Sequence, residues 1–234
     1  MLPNTTYRST ESEIMDDLEM EGDLLIKTLD KIAQINQLLG GNGITINGVK
    51  TLLQNHKKET PVSFIDMGCG NGDMLRALAK WARQNGFQFE LKGVDANQAT
   101  IDYAIELSQD YPEINYKKQD VLDQNFPEQA YDITLCTLFL HHFEDTIAEE
   151  FLTKIHQKSK LGVVINDLHR SKLAYLLFWL ITLFISNRMV KNDGLISILR
   201  GFKRLDLEAF SDKLKFKSTI TWRWAFRYEW IIRK

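Results

Sequence analysis

The stretch Val62-Ser-Phe-Ile-Asp-Met-Gly-Cys-Gly-Asn-Gly-Asp73 decides the fold of this chain. Residues of strand character lead to an acid, Asp66, and a glycine-rich turn follows at once. Residues 74–81 then have the composition of a helix. In a strand–turn–helix unit of this kind, backbone N–H groups at the helix start can approach a nucleotide-like ligand closely. The stretch therefore predicts an α/β domain with a ligand-binding turn after its first strand.

The spacing of the glycines indicates which ligand the turn accepts. A dinucleotide-binding turn has the spacing Gly-x-Gly-x-x-Gly, which would require a glycine at position 73. This chain has Asp73 there, and its third glycine is Gly72. An acid at the helix start is unfavourable beside a pyrophosphate and acceptable beside a cationic or zwitterionic ligand. An NAD(P)-dependent oxidoreductase is therefore the less favoured alternative.

Composition and charge exclude several classes of protein. The length of 234 residues suits one α/β domain with an extension. The 29 basic and 31 acidic residues give a net charge of −2, which does not indicate a nucleic-acid-binding protein. Two cysteines, Cys69 and Cys136, without a Cys-x-x-Cys pair, predict neither a disulfide framework nor a metal site. The first residues lack an apolar signal core, so we expect a cytoplasmic protein.

The order of predicted elements defines the fold class. Strands alternate with helices through most of the chain, which is typical of a parallel, doubly wound sheet. The C-terminal part differs, because it contains two strands joined by a tight turn. We therefore predict a Rossmann-like α/β fold with seven strands, mostly parallel, closed by an antiparallel hairpin. The predicted strands are 62–66, 87–95, 114–119, 131–136, 162–166, 215–221 and 226–232.

The N-terminal part, residues 1–58, is predicted to be a helical extension or cover ahead of the main domain, residues 59–234. A capping-box spacing at residues 10–13 and apolar residues on either side of Gly22 predict a helix that ends at Gly40-Gly41. A short helix from about residue 47 to 56 follows.

Three acids follow successive predicted strands. Asp66 ends the first strand, Asp95 ends the second, and Asp120 follows the third. The carboxyl ends of parallel strands meet at one edge of the sheet, so these acids converge there. A carboxylate at Asp95 can accept both hydroxyls of a ribose, and Asp120 can accept amino hydrogens of an adenine beside the Val121 backbone. Each acid alone could cap a helix or a turn, whereas the three together predict a binding site.

The pattern Asp-x-Gly-x-Gly-x-Gly at 66–72 resembles the nucleoside loop of the class I S-adenosylmethionine-dependent methyltransferases. Residues 132–143, which include His141 and His142, are similar to the fourth-strand segment of the ubiquinone/menaquinone-type methyltransferases. The resemblance covers about residues 60–170. It implies S-adenosylmethionine as cofactor and O- or C-methylation of a small, aromatic or lipophilic acceptor. No Asn-Pro-Pro-Tyr motif follows the fourth strand, so nucleic-acid bases are not expected acceptors.

The resemblance also assigns residues to the cofactor. It implies that Asp66, Gly68 and Gly70 hold the amino-acid end, Asp95 the ribose, and Asp120 with Val121 the adenine. Neighbours in the loops after the strands complete the predicted cofactor site, namely Cys69, Ala96 and Thr137.

Methyl transfer to oxygen requires an aligned attack and removal of a proton from the acceptor. Histidine suits the second task, because its ordinary pKa of ~6.5 lies near working pH. His142 follows the fourth strand and His169 the fifth, and we predict one of them as the base. A structural role for each remains open. A non-catalytic cofactor-binding or membrane-adapter protein, which uses no base, is a further alternative.

An insertion at about residues 171–202 contains an apolar run at 173–185. This run is shorter than the ~20 residues that a membrane-spanning helix needs. Three alternatives follow, namely a buried core helix, a lid over a lipophilic acceptor and a peripheral contact with a membrane. We expect it to cover the acceptor. The oligomeric state is left open.

Overall fold

A computed structural model describes residues 3–124 and 126–234 of the chain. One seven-stranded sheet has the order β3-β2-β1-β4-β5-β7-β6. Strands β1 to β5 are parallel, and β7 runs antiparallel to both β5 and β6. The strands are β1 (Val62–Met67), β2 (Phe89–Asp95), β3 (Ile114–Lys118), β4 (Tyr131–Thr137), β5 (Ser159–Leu168), β6 (Lys217–Arg223) and β7 (Arg227–Arg233). The predicted fold class is confirmed.

Helices cover both faces of the sheet. On one face α2 and α3 pack against side chains such as Phe64 and Leu135, and on the other α5 and α8 pack against side chains such as Ile65 and Trp230. Both faces of β1, β4 and β5 are therefore apolar, as expected for buried parallel strands. The helices are α1 (Asp23–Leu38), α2 (Gly41–Leu52), α3 (Asp73–Asn85), α4 (Gln98–Leu107), α5 (Asp145–Lys158), α6 (Lys172–Thr182), α7 (Arg188–Arg200) and α8 (Arg204–Lys213).

Helix α2 begins at Gly41, earlier than the predicted start near residue 47. Its glycines are weak helix formers, and contacts with β5 override that preference. The Asn166 amide donates to the Gly41 carbonyl at 2.9 Å. A Cβ on Gly48 would come within 2.5 Å of the Val164 side chain, so the absence of a side chain lets the helix lie close to the strand.

The prediction of a helix from residues 10–13 onward is wrong. Only a 3-10 turn, Ile14–Asp16, forms before Gly22, and α1 begins at Asp23. Gly22 has φ 85°, a conformation that interrupts a helix. Residues 3–20, which we call the N-terminal strap, instead run across the end of the sheet and contact α7 and the loop after β4.

The apolar run at 173–185 forms α6 and the turn after it. The buried-core alternative is wrong, because only Ala174 and Thr182 of α6 are buried. Trp179 and Leu180 are exposed, and Phe184 beyond the helix is 91% exposed. Within the described residues, every helix is too short or too polar to cross a bilayer.

Candidate active site

A cavity of about 580 Å³ opens at the carboxyl ends of the parallel strands. All the residues that the sequence predicts for the site line this one cavity. They are Asp66, Gly68, Cys69, Gly70, Asp95, Ala96, Asp120, Val121, Thr137, His142 and His169. The roles given to these residues remain predictions.

The glycine turn has the conformation that its residues require. Gly68 and Gly70 have φ values of 64° and 52°, which L side chains rarely adopt. A Cβ on Gly68 would come within 2.1 Å of the Phe139 ring. At Gly70 the nearest atom would be a Leu29 methyl at 3.8 Å, so the turn faces open space there. The Gly70 N–H donates to the Asp95 carboxylate at 3.2 Å, which joins the loops after β1 and β2.

Two acidic side chains lie beside this turn in a poorly solvated environment. Asp66 is 2% exposed, and its Oδ1 has no hydrogen-bond partner within the described part of the chain. Burial, followed by the charges of Asp95 and Asp73, raises the pKa of Asp66 to about 7. Burial also raises the pKa of Asp95. A ligand with a positive charge would relieve this repulsion, so the site fits the sulfonium and ammonium groups of S-adenosylmethionine.

The other predicted cofactor residues differ in their surroundings. Asp120 is exposed and accepts from the Leu122 N–H at 2.9 Å, next to the buried Val121. The Thr137 hydroxyl is 3.0 Å from the Thr45 hydroxyl on α2. Burial raises the pKa of the Cys69 thiol well above its ordinary value, which makes it a neutral packing group.

The two candidate bases have different hydrogen bonds. His142 Nδ1 is 2.7 Å from the Asp16 carboxylate, so in the neutral ring Nδ1 carries the hydrogen and Nε2 has the lone pair. His169 Nδ1 accepts a hydrogen bond from the Trp222 indole at 3.2 Å. A neutral His169 therefore carries its hydrogen on Nε2, and its basic nitrogen is engaged. Burial, followed by the charges of Arg170 and Lys203, lowers the pKa of His169.

His141 is a cavity residue that was not favoured from the sequence. It is buried, with Nδ1 2.7 Å from Asp167 and Nε2 3.6 Å from Glu13. Burial alone would lower the pKa of His141, but the charges of Asp167 and Glu13 raise it to about 9. The sequence shows two adjacent histidines after β4. It does not indicate that His141 pairs with Asp167 of β5 and Glu13 of the strap, because these acids are distant in the chain.

Ligand atoms of Glu13, His141 and His142 lie within 4.8 Å of one another, a grouping that could hold a metal ion. Arg200 Nη1, however, is 3.8 Å from Glu13 Oε1 and 2.6 Å from Asp16 Oδ2. Its guanidinium already supplies positive charge to these acids. The negative charge beside these histidines is therefore already balanced by a positively charged side chain of the protein.

The N-terminal strap is held at several points around the cavity. The Arg8 guanidinium donates to the carbonyls of His141 and Phe143 at 2.9 and 2.8 Å. The N–H groups of Ile14 and Met15 donate to the Asp193 carboxylate on α7. At the other end, the Asn97 amide donates to the carbonyls of Leu18 and Met20.

Beyond the glycine turn the cavity is apolar. Helices α1, α6 and α7 and the loop after β4 contribute aliphatic and aromatic side chains. They include Leu25, Leu29, Phe139, Leu177, Phe178, Ile181, Val190 and Ile198. This part of the cavity suits an apolar ligand.

Comparison with known proteins agrees with this geometry. A family model described as a methyltransferase domain matches residues 64–162, from β1 into β5. Together with the sheet topology, the match supports the assignment of this chain as a class I S-adenosylmethionine-dependent methyltransferase. Within that class, the curated relatives it matches are ubiquinone biosynthesis O-methyltransferases.

The relative from Rickettsia bellii (strain OSU 85-389) is 26% identical over 155 residues, which are 64% of this chain and 61% of that protein. The relative from Rickettsia conorii is 25% identical over 134 residues, which are 56% of this chain and 43% of that protein. The chain thus matches about three-fifths or less of the length of these two relatives.

Solved structures share the fold over most of the chain. The plantazolicin methyltransferase BpumL, in complex with SAH, has a TM-score of 0.69 at 16% identity and aligns over 89% of this chain and 90% of its own. The magnesium protoporphyrin IX methyltransferase ChlM from Synechocystis PCC 6803, with bound SAM, has a TM-score of 0.57 at 14% identity over 94% of this chain and 89% of its own.

The predicted ribose contact can be tested at Asp95. Asp95→Ala removes charge-assisted hydrogen bonds worth about 1.5–3 kcal/mol each, so the affinity for S-adenosylhomocysteine should fall at least tenfold. Isothermal titration measures this, and Asp102→Ala, which removes an exposed acid on α4, is the matched control. Wild-type affinity in Asp95→Ala would refute the assignment.

The pKa of Asp66 predicts a pH dependence of cofactor binding. A carboxyl with a pKa of about 7 must lose its proton to pair with a cationic ligand. Affinity for S-adenosylmethionine should therefore weaken as the pH falls from about 7.5 to 6, by up to roughly tenfold per unit. Asp66→Asn should lose this component, and comparing the two proteins cancels titration of the ligand itself. The same slope in both proteins would contradict the prediction.

Proposed function

We propose that the protein transfers a methyl group from S-adenosylmethionine to a hydroxyl group of a small, aromatic or lipophilic acceptor. The observation that carries this proposal is a single cavity that joins buried carboxylates at a glycine turn to an apolar compartment with a carboxylate-bound imidazole in its wall. When bound, the cofactor supplies a methyl group already activated by the sulfonium. The chain has to orient the acceptor and remove its proton.

In this proposal the amino-acid end of the cofactor is held by Asp66 and the turn Gly68-Cys69-Gly70. Asp95 and Ala96 hold the ribose, and Asp120 with Val121 holds the adenine. Thr137, which also lines the cavity, completes the proposed cofactor site. The assignment is supported by the resemblance to the class, by the burial of Asp66 and by the open space at Gly70.

We propose His142 as the base and place His169 second. His142 Nε2 has a free lone pair, because Asp16 engages Nδ1. On taking the proton of the acceptor, His142 would become an imidazolium beside that carboxylate. The basic nitrogen of His169 is engaged by Trp222, so His169 suits the binding of an acceptor better than its deprotonation.

The class of acceptor follows from the walls of the cavity. Aliphatic and aromatic side chains exclude strongly polar molecules, and a base beside them suits a phenol or a quinol. The matched relatives are named O-methyltransferases, which favours oxygen over carbon as the methylated atom. Residues 1–58 would act as cover, since the strap and α1 form part of the cavity wall. That the acceptor is not a nucleic acid and that the protein is cytoplasmic both remain predictions from the sequence.

A peripheral contact with a membrane is a second proposal, supported by α6. Its outer surface exposes Leu173, Trp179 and Leu180. Between residues 171 and 192 the chain has three basic residues, Lys172, Arg188 and Lys191, and no acid. An apolar helix flanked by basic residues suits the surface of an anionic membrane. A lipophilic acceptor could then enter the cavity from the lipid.

The variant His142→Ala tests whether His142 is the base, and turnover by the wild-type protein tests whether the protein is an enzyme. With a panel of phenols and quinols, His142→Ala should lower kcat by roughly 10²–10⁴ and keep the affinity for S-adenosylhomocysteine. His169→Ala is the parallel variant and should mainly raise KM for the acceptor. Wild-type turnover in His142→Ala would remove the base assignment. If the wild-type protein methylates no acceptor while it binds the cofactor, the non-catalytic alternative gains support.

Two neighbours on α6 separate acceptor binding from lipid contact. Phe178 lines the cavity, whereas Trp179 is 45% exposed and is not among the residues that line the cavity. Phe178→Ser should raise KM for the acceptor more than KM for the cofactor. Trp179→Ser should leave both nearly unchanged and weaken sedimentation with vesicles that contain phosphatidylglycerol. The opposite pattern, with Trp179 controlling the acceptor KM, would contradict the assigned faces of α6.

A further inference from the structure

We infer that Asp16, which belongs to the N-terminal strap, is the positioning residue for His142, so that the strap completes the active site. The inference rests on the proposed function, because it takes His142 as the base. Asp16 lines the cavity, and protein groups bind both of its carboxylate oxygens. It acts through the imidazole ring that it binds.

The contacts of Asp16 use both of its carboxylate oxygens. Oδ1 lies 2.7 Å from His142 Nδ1, and Oδ2 accepts from Arg200 Nη1 at 2.6 Å. Oδ2 also accepts from the N–H of Glu13 at 3.0 Å, within the same 3-10 turn. A carboxylate fixed on both sides can hold only one orientation of the ring. The hydrogen on Nδ1 then stays there, and Nε2 remains available for a proton.

The charge of Asp16 suits this task. Partial burial raises the pKa of Asp16, but hydrogen bonds from His142 and Arg200 hold it well below its ordinary value. Asp16 is therefore an anion at neutral pH. An anion at this place favours the imidazolium that forms when His142 takes a proton, because opposite charges at hydrogen-bond distance attract.

Arg200 holds Asp16 and the His142 loop in place relative to each other. Its guanidinium binds Asp16 and also donates to the backbone carbonyls of His141 and His142. One side chain of α7 therefore fixes both the turn that carries the acid and the turn that carries the base. Asp193, about two turns before Arg200 on α7, accepts from the N–H groups of Ile14 and Met15 and so fixes the 3-10 turn that carries Asp16.

The strap also reaches the cofactor side of the cavity. Asn97 donates through its side chain to the carbonyls of Leu18 and Met20 at 3.0 and 2.7 Å. The backbone N–H of Asn97 donates to the Asp95 carboxylate at 3.1 Å. A short run of chain, from Asp16 to Met20, thus connects the base with the carboxylate proposed for the ribose. Correct seating of the strap should therefore orient the base.

The test compares Asp16→Asn and Asp16→Glu with the matched control Glu19→Gln, which changes an exposed acid of the strap. Long-range ¹H–¹⁵N NMR of the histidine rings, with His142 assigned from His142→Gln, reports which nitrogen carries the hydrogen. In Asp16→Asn we expect loss of the single Nδ1–H tautomer and a kcat lower by about 10–100-fold, as for other carboxylates that orient a functional histidine. Affinity for S-adenosylhomocysteine and acceptor KM should stay near wild type. Asp16→Glu should restore part of both the tautomer and kcat.

The NMR measurement needs no turnover, so it tests the positioning independently of the proposed reaction. An unchanged Nδ1–H tautomer in Asp16→Asn would overturn the inference whatever the activity. A changed tautomer with wild-type kcat, in a protein whose His142→Ala variant is slow, would also overturn it. If His142→Ala turns over at the wild-type rate, the proposed base fails instead, and that outcome is read from a different variant.

Discussion

The structure depends on the burial of carboxylates at the ends of adjacent parallel strands. Asp66 and Asp95 lie at the carboxyl ends of β1 and β2, where burial raises the pKa of each. Such groups are costly in the protein alone, since anions in poorly solvated surroundings repel each other. The glycine turn offsets part of this cost by donating the Gly70 N–H to Asp95. A positively charged ligand would relieve the rest of this cost.

Features with local signatures could be predicted from the sequence. The glycine turn, the acids at the strand ends and the C-terminal hairpin all depend on residues close together in the chain, and the cavity contains each predicted residue. The strap could not be predicted, because its partners are far away in sequence. Asp16 is bound by His142 and Arg200, which are 126 and 184 residues distant. The capping-box spacing at residues 10–13 predicts the start of a helix, whereas the strap forms only the 3-10 turn Ile14–Asp16.

Helices α2 and α6 both show that local sequence preference does not determine packing. Contacts with Asn166 and Val164 extend α2 into glycines that disfavour a helix. In α6 the run of apolar residues suggested burial, yet several of them remain at the surface. Local preference indicates what a segment can form. Its packing partners decide how long the helix is and which of its faces is covered.

The contact between the strap and α7 has a consequence for the order of folding. The Ser9 N–H donates to the Leu199 carbonyl at 3.0 Å. The Arg8 guanidinium donates to the carbonyl of Arg200, at the end of α7, and to that of His141, in the loop after β4. During synthesis the strap leaves the ribosome before α7 does, so this part of its docking surface forms only once α7 has been made. The sheet as far as β5 needs no strand made later, because β1 pairs with β2 and β4, and β4 pairs with β5. The bond from Arg200 to Asp16 is therefore a late contact, and the full set of hydrogen bonds that fixes the His142 ring is completed only when α7 docks.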